Sequence, residues 1–370
     1  MAYQPGLVDG GVHAAAPGRP PDVSRATVLL ALGALSYLPF YPVTAAGPVS
    51  VERTLYLMGT RATLAVESTD RAAAVRQLER MVRSLERTEA NLSTWRHASE
   101  LSRLNRHPVG QPFQLGPDIC ELWPTLTHWH RTTAGAFDPG VGALIDLWGL
   151  REAGRHPPPE SLAAAWAVTG IGHFEADPDP DACRVTRLVD ATLDAGAFGK
   201  GEALRRLQMD LGSEAAWRVD LGGQVAVSGV APSSRRWPVA IAHPARRYKA
   251  VTEVVLATGS LATSGASERK LEVDGEPITH ILDPRTGQSL YRHTSVTVWH
   301  EDPLVADILS TALYVLGPDT GMRFAESHGL AALFLVPPHS SESMTVLVRP
   351  SQAFAERFPT GVGARHPTVP

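Results

Sequence analysis

The chain has 370 residues, 44% of them hydrophobic and 19% charged, which excludes a wholly disordered polymer and provides for one large core or two small ones. A formal charge of −4, from 34 basic against 38 acidic residues, supplies no basic field for nucleic acid, so the expected partner is a small molecule or another protein. Cys120 and Cys183 are the only cysteines, so no disulfide framework, thiolate zinc site or haem attachment is expected; both read as incidental, and any metal must sit on oxygen or imidazole.

The elements follow in chain order. Beyond Arg19 and Arg25, residues Ala26 to Val51 carry no charge and open with the run Val28 to Leu35. That composition reads as an export signal, broken by Pro39 and Pro42 and ending in the small residues Thr44-Ala45-Ala46, rather than as a permanent membrane span. No cysteine follows it, which closes the lipid-anchor route. After Val51 the pattern becomes mixed α/β. Ala62, Leu64 and Val66 alternate on one face of a strand, and Val75, Leu78, Met81, Val82 and Leu85 follow helical spacing.

A second helix carries Ile119, Leu122, Trp123, Leu126 and Trp129, with Pro124 able to kink it. The Pro/Asp-rich stretch Asp177 to Asp181 is the expected boundary between two lobes. β-branched runs follow at Trp237–Ala242, Val251–Leu256, Ser295–Trp299, Ala331–Val336 and Met344–Val348, with an apolar helix at Pro303–Leu316. The fold class expected is α+β, with mixed sheets flanked by helices.

Three stretches carry chemistry. In Leu193-Asp194-Ala195-Gly196-Ala197-Phe198-Gly199-Lys200-Gly201 a carboxylate, small residues and a lysine stand where a strand should turn into a helix ending near Leu211. Such a loop admits a phosphate to backbone N–H groups and a helix dipole, but its spacing is not that of a Walker A loop; an ordinary Gly-rich turn is the other reading. Asp307 and Thr311, four residues apart on the predicted helix, share a face and could hold a hard cation such as Mg²⁺; a helix-start Asp is also a common cap. In Thr279 to Gly287, His280 could accept a proton, while Asp283-Pro284-Arg285-Thr286-Gly287 reads as turn chemistry. Phe137 with Asp138, and Trp95 beside Ser93 and Thr94, pair an aromatic plane with fixed polar groups as a flat heterocycle requires, although a lone aromatic is more often core.

Taken in order, Met58-Gly59-Thr60, Ser93-Thr94-Trp95, Ser99 to Asn105, Gly135-Ala136-Phe137-Asp138, Asp194 to Gly201, Asp220-Leu221-Gly222-Gly223, Thr263-Ser264-Gly265, His280 to Gly287 and Ala306 to Ala312 resemble the ApbE family of FAD:protein FMN transferases over about Val51 to Val348. The resemblance implies a T-fold-like domain over 47–358, with two lobes around the flavin site; composition sets a signal over 1–46 before it and a loose tail over 359–370 after it. It implies transfer of FMN from FAD to a Ser or Thr hydroxyl of an acceptor flavoprotein carrying Asp-x-x-(Ser/Thr)-Gly-Ala-(Ser/Thr), with AMP released and Mg²⁺ required. By position, Met58, Trp95, Ala136, Phe137, Asp138, Asp194, Lys200 and Ile281 match flavin-contacting residues; Asp307, Thr311 and the Ala197 carbonyl match metal ligands; His280 matches the base. On this reading Lys200 neutralises developing charge at the phosphates.

Phe198-Gly199 depart from the family, where Ile and Ala are usual. Ser264-Gly265-Ala266-Ser267 resembles an acceptor core, but Leu261 stands where that motif has Asp, so self-labelling is not expected. Other readings are an FAD pyrophosphatase and a flavin-binding protein without turnover. The chain is expected to be exported and monomeric.

Overall fold

Strands whose side chains alternate between two packed faces form the spine of the molecule. The computed structural model describes residues 47–212, 216–229, 236–266, 270–337 and 345–359. The expected signal over 1–46 and nearly all of the expected tail lie outside the described residues, as do Met344 and Ser267.

Eight strands, Val49–Leu57, Thr60–Ser68, Ala216–Leu221, Gln224–Ser228, Gly259–Gly265, Ser295–His300, Ala331–Val336 and Leu347–Pro350, lie side by side in chain order, each antiparallel to the next. Every connection, however long, therefore returns the chain to the adjacent position in the sheet. Period-two alternation divides the burial: Ala226, Ala332 and Phe334 face the helices, while Val225, Val227, Leu333 and Leu335 face a hairpin on the other side.

Nine α-helices occur among the described residues: α1 Arg71–Leu92, α2 Glu100–Arg106, α3 Pro117–Thr132, α4 Gly142–Leu147, α5 Pro159–Ala167, α6 Gly199–Leu211, α7 Pro303–Leu316, α8 Pro318–Ser327 and α9 Gln352–Arg357. α1 starts where Asp70 accepts the Ala72 N–H at 2.8 Å. Its buried stripe contains Leu78, Met81, Val82 and Leu85 as expected, but Ala74 takes the first position and Val75 is exposed, because the 3.6-residue period reaches back from Leu78 to 74. α1 and α6 pack on each other and on the first strands. α7 spans the residues expected, with Pro303 in its first turn and Asp302 as cap. Twelve of its residues are buried, which suits a helix covered by the sheet, α6 and α8 together. The hairpin Trp237–His243 with Arg246–Leu256, and α9, cover the opposite face.

Residues 93–198 form a long insertion whose core of Leu101, Leu104, Ile119, Leu122, Trp123, Phe174 and Phe198 is closed by Leu304, Ile308 and Ala312 of α7. Two sequence expectations fail there. Asp177 to Asp181 is no lobe boundary: it is the turn joining the antiparallel strands Phe174–Ala176 and Arg184–Arg187, closed by an Arg184–Asp177 ion pair of 2.8 Å, and the described residues belong to one compact unit. Nor are the cysteines incidental, since Cys120 on α3 and Cys183 beside that turn form a disulfide across 63 residues, with Cα atoms 5.4 Å apart. Two distant cysteines in a long chain carry no spacing signature. The packing of α3 on the small sheet brings them together.

Candidate active site

Residues 188–198 form a loop rather than the expected strand, and its path is held from both ends. Asn105 at the end of α2 donates to the Leu193 carbonyl and accepts from the Leu193 N–H, both at 2.8 Å, so one side chain copies a strand partner. Asp194 then accepts the Gly196 N–H at 2.7 Å, a short Asx turn, while its own N–H donates to the Pro139 carbonyl at 2.8 Å. Phe198, the family departure, anchors the far end by burying its ring in the insertion core. Lys200 consequently stands in the first turn of α6, where the helix dipole favours an anion.

α6 and α7 approach closely at Gly201. A Cβ there would lie 2.7 Å from the Asp307 Cβ and from the Pro303 carbonyl, so only glycine allows the contact. The Gly201 N–H donates to Asp307 Oδ2 at 2.9 Å, and Lys200 Nζ lies 3.4 Å from Oδ1. Asp307 is thus no cap, a role that Asp302 fills, but a buried carboxylate turned toward α6. One turn on, Thr311 faces the cavity, with its hydroxyl 3.5 Å from that of Ser264, which is itself bonded to Ser310 at 2.9 Å. Gly201→Ala is expected to force these helices apart and destabilise the protein by about 1–3 kcal/mol. Thermal melting with a parallel FAD-binding titration checks both parts of this, the second because Lys200 and Thr311 ride on the two helices.

The remaining walls come from turns. Met58 and Gly59, both with positive φ, form the two-residue turn joining the first two strands, and the Met58 N–H donates to Glu89 Oε1 at 2.8 Å. Trp95, 68% exposed, stands at the rim beyond the end of α1. Ala136 and Asp138 line the cavity. Phe137 does not, its ring being fully buried in the insertion core. Asp138 accepts the N–H groups of Gly140 and Ile171 at 2.7 and 2.8 Å and pairs with His130 Nδ1 at 3.0 Å. That hydrogen bond to Asp138 outweighs desolvation and raises the His130 pKa. A raised histidine stabilises fully below the ordinary imidazole value and loses that contribution as pH climbs through the folded one. Melting temperature is therefore expected to decline with rising pH across this range, and less so in His130→Gln.

His280 is half-buried on the wall. Its flanking backbone is fixed by Ser289, which accepts from the Thr279 N–H at 2.9 Å and donates to the Thr279 carbonyl at 3.1 Å, and by Thr279 Oγ1, which accepts from the Ile281 N–H at 3.2 Å. Asp283 to Gly287 is turn chemistry as expected, with Asp283 holding both the backbone N–H and the guanidinium of Arg285.

These parts enclose a cavity of about 860 Å³, toward the large end for a small-molecule site. It brings together Met58, Trp95, Ala136, Asp138, Asp194, Ala197, Lys200, His280, Ile281 and Thr311, with Asp307 directly behind Lys200 and Phe137 outside. Sequence reasoning missed Arg151. Its guanidinium bridges Asp194 at 2.6 Å, Thr94 at 3.2 Å and Asp146, and lies 6.0 Å from the Trp95 ring. It sits 43 residues from Asp194 in no motif, so no local signal marks it. Among the described residues no three His, Cys, Asp or Glu side chains converge as a metal cage. One carboxylate, one hydroxyl and one carbonyl are a hard oxygen set that suits Mg²⁺, which keeps further positions for water and substrate phosphates.

The ApbE family model matches residues 58–334, which hold every residue lining this cavity except Tyr56. The chain belongs to the ApbE family. Among its relatives, the FAD:protein FMN transferase of Vibrio cholerae is 33% identical over 69% of this chain and 77% of its own length. That of Klebsiella pneumoniae is 30% identical over 79% and 87%. The apo flavinyl transferase ApbE of Pseudomonas stutzeri has the same fold, with a TM-score of 0.74 and 30% identity, covering 85% of this chain and 98% of that one. As an ApbE protein the chain keeps the α+β arrangement of antiparallel sheet and covering helices, with the long insertion supplying one side of the cavity.

Proposed function

We propose that this ApbE protein transfers FMN from FAD to a Ser or Thr hydroxyl of an acceptor flavoprotein, forming a phosphoester and releasing AMP. The observation that carries this reading is the convergence of Lys200, His280 and Thr311 on one cavity, with Asp307 behind it, in a chain related to proteins named for that reaction. Breaking a pyrophosphate needs positioning and charge neutralisation more than covalent help from the protein. The acceptor oxygen attacks the FMN phosphorus, the bond to the AMP oxygen breaks, and His280 takes the hydroxyl proton. Lys200 and the start of α6 face the charge that develops on the phosphates. Asp307, the Thr311 hydroxyl and the Ala197 carbonyl would hold Mg²⁺, which when bound neutralises phosphate charge. Met58, Trp95, Ala136, Asp138, Asp194 and Ile281 are assigned to flavin or adenine.

The test is incubation with FAD and Mg²⁺, with and without a carrier domain bearing the acceptor motif. Flavin fluorescence that follows the carrier through a denaturing gel supports transfer. Free FMN and AMP in both tubes identifies a pyrophosphatase, and FAD left intact identifies a binding protein. We also propose an exported monomer. The signal-like composition of residues 1–46 supports export, as does the Cys120–Cys183 bridge, since such bonds persist in oxidising compartments.

A further inference from the structure

The hairpin that covers the sheet carries an irregularity at its tip. Ala242 pairs with Ala250 and the next residue, His243, pairs with Arg246, so Arg247, Tyr248 and Lys249 have no partners on the facing strand and bulge outward. Bulges of this kind re-aim side chains beside functional sites. Arg247 reaches the wall of the cavity. Tyr248 is 91% exposed, although an aromatic ring is ordinarily sheltered. Among the described residues, the side chains of Arg246, Arg247 and Lys249 make no ion pair or hydrogen bond, whereas most other arginines near the cavity and the insertion do. Buried His243 on the facing strand has its pKa lowered, by desolvation first and then by the charges of Arg246 and Lys249.

We infer that this basic, tyrosine-bearing bulge is the docking strip for the acceptor protein, and that the segment it receives is acidic and extended. The inference rests on the transferase reading, since only a macromolecular acceptor needs a surface outside the cavity. A ligand enclosed by the walls has no use for a tyrosine that faces solvent, nor for Arg246 and Lys249, which do not line the cavity. Tyr and Arg are the residues on which protein interfaces concentrate their binding energy. Unpaired cations at the mouth raise the encounter rate of an acidic partner and set its register, while Arg247 links the strip to the place where the hydroxyl must arrive.

The test uses the full chain and the carrier domain with the acceptor motif in a surface loop, made with flanking glutamates or flanking glutamines. The glutamate carrier should be labelled with the higher kcat/KM, and only its rate should fall steeply with added salt. In Arg246→Glu/Lys249→Glu the kcat/KM for the glutamate carrier should drop by about tenfold or more while the KM for FAD stays unchanged. Tyr248→Ala should raise the KM for both carriers. Equal labelling of the two carriers by the wild type, or a double variant that labels the glutamate carrier normally, overturns the docking strip and leaves the transferase reading standing. A double variant that loses FAD affinity instead overturns it in favour of a role in FAD binding. Absence of labelling of either carrier by the wild type overturns the transferase reading and the strip with it.

Discussion

Asp307→Asn is expected to reduce FAD-dependent labelling of an acceptor by roughly 10²–10³-fold, the scale seen when one preorganised electrostatic group is removed from a polar transition state. The substitution separates charge from scaffold. Asn keeps the shape of Asp and one carbonyl oxygen that can still accept the Gly201 N–H now at 2.9 Å from Oδ2, so the α6–α7 crossing persists. What disappears is the buried negative charge 3.4 Å from Lys200 Nζ, and with it the one anionic oxygen of the proposed Mg²⁺ site. Labelling rates across a Mg²⁺ titration, with a melting curve as control, measure the effect. A rate within a factor of a few of wild type in a folded protein removes Asp307 from the machinery. A loss that excess Mg²⁺ partly restores assigns the carboxylate to metal affinity rather than to fold.

Reduction of the Cys120–Cys183 bond is expected to destabilise the protein by about 2–4 kcal/mol, in keeping with a disulfide that closes a long loop. For a chain of this size that corresponds to a fall in melting temperature of about 3–6 °C. The bond ties α3 to the hairpin 174–187, and the core it borders also contains Leu193 and Phe198, the apolar anchors of the Asp194–Lys200 loop. Stability should therefore fall first. Activity at moderate temperature should survive until the insertion loosens. Melting with and without dithiothreitol, compared with Cys120→Ser/Cys183→Ser, checks this, and an unchanged melting temperature on reduction would show that the bond adds nothing.

Much of the architecture was legible because it is local. α7 runs from Pro303 to Leu316 as read from its apolar content. The second strand shows its face through Ala62, Leu64 and Val66, and the Asp283 to Gly287 turn through its residue types. The cavity residues were found through an ordered series of short motifs, each carried on a turn or a helix end. Phe137 was misplaced relative to its neighbours because a motif specifies order along the chain and not the side on which each residue emerges.

By itself the sequence determined the class of fold, its longer helices and several of the strands of the main sheet, the family, and the set of polar residues on which the chemistry is proposed. These depend on periodicity, turn chemistry and residue type, which act over a few positions. Only the tertiary structure decided that Cys120 meets Cys183, that Arg151 holds Asp194, that His130 pairs with Asp138 and that Gly201 lets Asp307 reach α6. Except for His130 and Asp138, each of these pairs joins segments more than forty residues apart. Such contacts arise from the packing of whole elements against one another, and no local pattern encodes the partner.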